Sequence, residues 1–315
     1  MNASPAPRNR SLTLTSEELD HYSHRRLHLH APIALGAGVN RTIQQDSLIA
    51  LGYLPPQTID LLFADPPYNL DKTFNSTTFK SISEADYEAW LDQWMSKTKP
   101  LLKPTTSIYV CGDWRSSGAI QRVLARYFIV RNRITWEREK GRGAKANWKN
   151  CSEDIWFATC SDTHTFNLEA VKIKRRVIAP YTDSEGAPKD WEDSDGGRFR
   201  LTHPSNVWTD LTVPFWSMPE NTEHPTQKPE KLPARIILAS SNADDLVVDP
   251  FLGSGTTSVM AKKLGRRFIG IELDQRYGCL AEKRLALAET DKRIQGYEQG
   301  IFFERNTPAI LAGKS

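Results

Sequence analysis

Two short stretches carry side chains able to do chemistry. The first, Asp65-Pro66-Pro67-Tyr68, follows the apolar run Leu61-Leu62-Phe63. An apolar run without alternation reads as a strand covered on both faces. The two prolines have no N–H to give a neighbouring strand and fix their own φ, so pairing stops there and the exit is stiff. An acid and an aromatic ring at a rigid strand end stand where open α/β sheets bind ligands. The second stretch, DPFLGSGTT at 249–257, follows the apolar strand LVVD and opens a helix. Gly253 and Gly255 permit a tight turn and close backbone approach to a ligand, and the helix start offers unpaired N–H groups. No lysine follows as GKS or GKT would require, which argues against a triphosphate loop. Glu272 ends the next apolar strand, where an acid can accept both hydroxyls of a ribose. Asp249 would repel an anion and attract an ammonium group. The second stretch therefore suits a nucleoside without a phosphate.

Such groups act only if regular elements hold them. Residues before Asp46 read as a short strand, so Asp46 and Asp65 occupy comparable strand ends. Ser83 followed by Asp86 reads as a helix start, and Tyr87, Trp90, Leu91 and Trp94 share one face of that helix as core. Further strands are predicted at 107–111, 133–137 and 154–158, with a helix at 117–128. From about 160 to 222 the sequence is polar and rich in turn residues, a poor core and a good variable insert. Beyond HPTQKP, at 224–229, alternation resumes with a helix near 231–240, a strand at 246–249, a helix at 256–264, a strand at 268–273 and a helix from about 275. Strands separated by helices imply an α/β fold, a mostly parallel sheet with helices on both faces.

The chain of 315 residues can bury a full core, and its net charge of +3 does not by itself announce nucleic acid. No apolar run approaches the ~18 residues of a membrane span, and the first residues, MNASPAPRNRS, lack a signal-type apolar segment, so a cytoplasmic protein is expected. Cys111, Cys151, Cys160 and Cys279 have no CxxC spacing and are expected as buried thiols, with no metal site. The histidines of HYSHRRLHLH fall in what reads as a flexible basic arm, without the fixed geometry a metal needs. The basic stretch EREKGRGAKANWK, 137–149, reads as a phosphate-contacting loop with Lys140, Arg142, Lys145, Trp148 and Lys149. Lys174 and Arg175 of KIKRR could add contacts or form a solvated face.

Taken together, the motifs resemble those of the DNA amino-methyltransferases that use S-adenosylmethionine (AdoMet). That family's catalytic signature, Asp-Pro-Pro-Tyr, is met at Asp65, Pro66, Pro67 and Tyr68, and its cofactor signature, Phe-x-Gly-x-Gly, at Phe251-Leu252-Gly253-Ser254-Gly255. The catalytic motif comes first with a variable region between, which is the β arrangement, and the likeness runs over about residues 40 to 290. It implies a Rossmann-like sheet. It further implies that Phe251, Gly253, Ser254, Gly255, Thr256, Asp249 and Leu273 line AdoMet, that Glu272 holds the ribose, that Asp46 reaches the adenine, and that Gln227, Lys228 and Asp65 approach the methionine end. The expected substrate is double-stranded DNA with a flipped-out base, methylated on adenine N6, with cytosine N4 or a catalytically silent DNA-binding protein as alternatives. Trp156 and Phe157 are candidates for a second stacking ring. The resulting organisation is an arm at 1–40, a catalytic half at 41–160, a target-recognition region at 161–222, an AdoMet-binding half at 223–290 and an extension at 291–315. A homodimer and a companion restriction endonuclease are compatible with the resemblance.

Overall fold

Leu61 and Phe63 point into one apolar cluster and Leu62 and Ala64 into another, so the run that does not alternate lies between two cores. The computed structural model describes residues 8–75, 77–142, 146–177, 181–194 and 197–304. Along the chain come α1 (Ser16–Ser23), α2 (Leu35–Gly38), β1 (Arg41–Gln44), α3 (Ser47–Ala50), β2 (Ile59–Ala64), β3 (Lys72–Phe74), β4 (Thr77–Phe79) and α4 (Glu84–Thr98). There follow β5 (Leu102–Gly112), α5 (Ser117–Tyr127), β6 (Ile129–Arg142), β7 (Asn150–Thr159), β8 (Ile173–Arg176), β9 (Glu192–Ser194), β10 (Gly197–Thr202) and β11 (Val207–Trp208). The last part holds α6 (Lys231–Ser240), β12 (Leu246–Asp249), α7 (Thr256–Lys263), β13 (Arg267–Glu272), α8 (Gln275–Thr290), β14 (Tyr297–Glu298) and β15 (Ile301–Phe303).

The main sheet has eight strands in the order β1-β13-β12-β2-β5-β7-β6-β11. All neighbours pair in parallel except those of β7, which runs against both β5 and β6. One face is covered by α6, α7 and α8, the other by α3, α4 and α5, as the alternation of strands and helices requires. Helix α4 begins where the sequence signals it: Ser83 accepts the Asp86 N–H at 3.1 Å, and Tyr87, Leu91 and Trp94 are buried.

Two segments depart from expectation. The stretch read as a flexible arm is packed, with Thr15 and Glu18 closing a capping box on α1 and Leu14 buried against Cys279 and Leu280 of α8. Leu12 and Arg10 donate backbone hydrogen bonds to Asn221 (2.7 Å) and Trp216 (2.6 Å), and Leu27 bridges to Ile43. The segment read as a poor core contributes Val171, Ile173, Trp208 and Leu211 to the main apolar cluster. Its β8, β9 and β10 share a five-stranded sheet with β14 and β15, in the order β14-β15-β8-β10-β9. Residues read as insert and as C-terminal extension are thus one structural unit. Of the cysteines, Cys111 and Cys279 are buried and Cys160 partly so, but Cys151 is exposed, as the second residue of β7 beside the loop that joins β6 to β7.

Candidate active site

Strand β12 pairs with β13 on one side and with β2 on the other, so the carboxyl ends of β2 and β12 are neighbours in the centre of the sheet. Asp65 follows the first of these strands and Asp249 ends the second. The two motifs open on one cavity of about 810 Å³, lined by Asp65, Pro66, Pro67 and Tyr68 from one and Asp249, Phe251, Gly253, Ser254 and Thr256 from the other. A volume of this size can enclose a nucleoside-sized ligand with room for a second reactant.

On the glycine side, Asp249 is buried; its carboxylate accepts the Thr257 hydroxyl at 2.6 Å and the Phe251 N–H at 2.9 Å. Burial pushes its pKa up to about 7. Glu272 accepts N–H groups from Gly253 (2.7 Å) and Asp274 (2.8 Å), and burial pushes it too up to about 7. Among the described residues, neither acid has an ion-pair partner within 4 Å. Gly253 has φ +57°, and a Cβ there would sit 3.1 Å from the His224 ring, so the backbone lies open to the cavity only as glycine. Phe251 stands edge-on to Trp94, ring centroids 5.3 Å apart. Asp46 lines the cavity while its carboxylate caps α3 through the Leu48 N–H at 2.9 Å, and Leu273 lies exposed at the rim.

Two residues of this set do other work. Gly255 does not line the cavity: at φ +89° it caps α7, and a Cβ would come 2.7 Å from Ala281 Cβ on α8. Gln227 does line the cavity, but its amide is held inside its own loop, donating to the Glu220 carbonyl at 2.7 Å and accepting from Thr222 at 2.6 Å. It stiffens the segment that delivers Lys228.

On the acid side, the Lys228 ammonium donates to Asp65 Oδ2 at 2.6 Å and lies 3.2 Å from Glu153 Oε2. The Tyr68 hydroxyl is 3.0 Å from Asp65 Oδ1 and 2.9 Å from Glu153 Oε2, and Arg138 donates to Glu153 Oε1 at 2.6 Å. Burial raises the Asp65 carboxyl, with Glu153 adding to the rise and Lys228 opposing it. Burial would raise Glu153 also, but Lys228 and Arg138 hold it below the usual carboxylate range. For Lys228, burial is outweighed by Asp65 and Glu153, which keep it above the ordinary lysine value. Sequence reasoning missed Glu153 and Arg138.

Trp156 and Phe157 are core and do not reach the cavity. Trp156 donates to Ser117 at 2.9 Å, and Phe157 stacks on Tyr109 at 4.6 Å. The tryptophans that line the cavity are Trp90, Trp94, Trp114 and Trp136. Of the basic residues singled out, Lys140 and Arg142 fall within β6 where a loop was expected, Trp148 and Lys149 are exposed at the tip of the β6–β7 hairpin, and Lys145 lies outside the described residues. The same hairpin supplies Arg138, Asn150, Ser152 and Glu153 to the cavity wall. Lys174 and Arg175 sit on β8, where Lys174 covers the Phe199 ring and Arg175 lies 3.6 Å from Glu304, so KIKRR is sheet rather than a free basic face.

A family model described as DNA methylase matches residues 59–283. The DNA adenine methyltransferase YhdJ of Escherichia coli (strain K12) is 34% identical over 260 residues, covering 82% of this chain and 86% of its own length. The chain belongs to the DNA methylase family. Among solved structures, the cytosine-N4-specific PvuII DNA methyltransferase superposes with a TM-score of 0.59 at 19% identity, covering 78% of this chain and 85% of the other. The M1.HpyAVI–SAM complex gives 0.53 at 24% identity, covering 78% and 98%. At such identities the two structures establish a shared methylase fold. Among the described residues of this DNA methylase, no helix is long and apolar enough to cross a membrane.

Proposed function

We propose that this chain methylates the exocyclic N6 of adenine in double-stranded DNA, using AdoMet. The observation that carries the reading is that the Asp65 carboxylate and the pair Asp249 and Glu272 face one cavity from adjacent strand ends. The residues present fit AdoMet. The buried Asp249 and the partly buried Glu272, without an ion-pair partner among the described residues, suit ribose hydroxyls and a methionine ammonium, and the positive φ of Gly253 leaves backbone bare where a side chain would fill the space. Phe251, Ser254, Thr256, Leu273 and Asp46 complete the wall, and Gln227 holds Lys228 in place. The name of the 34% identical relative supports adenine over cytosine N4, and the intact Asp-Pro-Pro-Tyr speaks against a silent DNA-binding protein.

When bound, AdoMet supplies a methyl group on a sulfonium centre, whose C–S electron pair returns to sulfur as the N–C bond forms. The protein's part is to improve a poor nucleophile, since the amino lone pair is shared with the ring. Hydrogen bonds from the amino group to the Asp65 carboxylate and the Pro66 carbonyl draw the nitrogen toward sp³ character and stabilise the charge that develops on it. The proline pair fixes these acceptors, because a displacement depends on alignment. The Tyr68 ring offers a stacking face to a base that must leave the duplex to be reached, an interaction of about 1–3 kcal/mol. The exposed Trp148 and Lys149 hairpin extends from the same cavity wall and contacts the DNA backbone, and the basic residues Lys140, Arg142 and Lys145 of the same stretch of sequence add positive charge for that contact.

Transfer of labelled methyl from AdoMet to duplex DNA tests the reading, with base identity read from the hydrolysed product. N6-methyladenine is expected, and absence of transfer with DNA binding retained would refute it. Asp65→Ala is expected to lower turnover by more than about 10³-fold while AdoMet still binds. A cytoplasmic location, a homodimer and a companion endonuclease belong to the same proposal. Sedimentation of the purified protein decides the dimer.

A further inference from the structure

In the structure both oxygens of Asp65 are already engaged, one by the Lys228 ammonium at 2.6 Å and the other by the Tyr68 hydroxyl at 3.0 Å. An acceptor amine that hydrogen-bonds Asp65 competes with these donors for its lone pairs, and it is held most strongly where one of them yields. Glu153 offers somewhere for both to go. Its Oε2 lies 3.2 Å from the same ammonium and 2.9 Å from the same hydroxyl, while Oε1 is fixed by Arg138 at 2.6 Å. The Glu153 side chain is 7% exposed and the Lys228 side chain 8%, so neither charge can be left to water. The two carboxylates and two cations balance.

We propose that Glu153 is a positioning residue for methyl transfer, a second seat onto which Lys228 and Tyr68 shift when the acceptor amino group takes its place on Asp65. This deepens the proposed function and rests on it. Without Glu153 the lysine would stay locked on Asp65, since leaving would strand a buried ammonium. With Glu153 the ammonium moves between two carboxylates at little cost. The methylated nitrogen then loses one N–H proton to the freed Asp65 carboxylate, so the bond broken is N–H and the charge left on nitrogen is discharged. Among the described residues, the groups that face Asp65 are Tyr68 beyond β2, Tyr87 on α4, Cys111 on β5, Glu153 on β7, Lys228 ahead of α6 and Asp249 at the end of β12, with Arg138 on β6 acting through Glu153.

The test compares Glu153→Gln and Arg138→Met with the wild type under saturating AdoMet and DNA, over a range of pH, with AdoMet affinity and thermal melting measured alongside. E153Q is expected to lower kcat by about 10²-fold with AdoMet affinity within about threefold of wild type. Asp65 loses a like charge and keeps the whole of Lys228, so the acidic limb of kcat should move to lower pH by about one unit. In R138M, Glu153 loses its counter-charge and draws Lys228 more strongly, so the limb should move to higher pH. Opposite movements of the two limbs are not expected from a merely structural role. Wild-type kcat in E153Q, an unmoved limb in both variants, or a rate loss matched by lost AdoMet binding would each overturn the proposal. Should E153Q fail to fold, the partly exposed Arg138 still carries the test through R138M. Failure of the wild type itself to methylate DNA would instead refute the proposed function.

Discussion

A carboxylate removed from water needs a partner, and the acids of this cavity find different ones. Glu153 has two cations and stays ionised, whereas Asp249 and Glu272, which among the described residues bond only N–H and O–H donors, rise to about 7. Asp249→Asn removes a charge that the folded protein holds at a cost, so at pH 8 the variant is expected to melt higher than wild type and to bind AdoMet more weakly. Calorimetry with and without AdoMet checks both. The same reasoning makes AdoMet affinity rise from about pH 6 to about pH 8, as the two acids become ionised acceptors. Titration at each pH measures it. Asp65, Asp249 and Glu272 were legible in the sequence because each closes an apolar run, the first two beside prolines and the third on the strand that follows the glycine turn. Glu153 was not, since it lies inside a strand and its partners come from three other elements. One signal existed: Glu153, Ile155 and Phe157 alternate along β7, so a charge sits where the inward face predicts an apolar residue.

The central elements between β1 and α8 were legible, the β3–β4 hairpin and the 161–222 segment apart, because the period of the apolar residues and the turn residues agree at their boundaries. The glycine turn before α7 shows what a motif conceals. Gly255 reads as a ligand-facing residue, yet its neighbour is the backbone of α8, with Ala281 Cα 2.8 Å from where a Cβ would be. Gly255→Ala combines a left-handed φ with this overlap and is expected to cost on the order of 2–4 kcal/mol, measured by urea unfolding. The segment at 161–222 was harder to read because its anchors are few and distant. Asp210 is one of them, buried between Arg235, which donates twice at 3.1 and 2.6 Å, and Lys231 at 2.7 Å on α6. Asp210→Ala leaves two cations buried without their counter-charge and is expected to cost about 3–5 kcal/mol in the same assay. The docked N-terminal segment had a readable sign as well, since Thr15 and Glu18 have capping-box spacing.

Across the molecule, buried ionisable groups set how stability follows pH. Asp249 and Glu272, raised to about 7, and Glu220, raised by burial beside Glu230 to about 8, bind protons in the folded state that the unfolded chain has released. Their contribution is full below the ordinary carboxylate values of 3.8 and 4.5 that the unfolded chain keeps, and is lost as pH rises through 7 to 8. His224, lowered by burial from 6.5 to about 3, acts in the opposite sense below 6.5. Three groups outweigh one, so the melting temperature without ligand is expected to fall between about pH 5 and pH 8, with saturating AdoMet reducing the fall. Scanning calorimetry across that interval decides it. The strand order has a further consequence, for the birth of the protein. Because β2 waits for β12, and β1 for β13, the middle of the sheet stays open while more than half the polypeptide is being translated. A nascent chain with that bare hydrophobic edge invites aggregation on the ribosome, which makes chaperone supply a determinant of how much active protein a cell obtains.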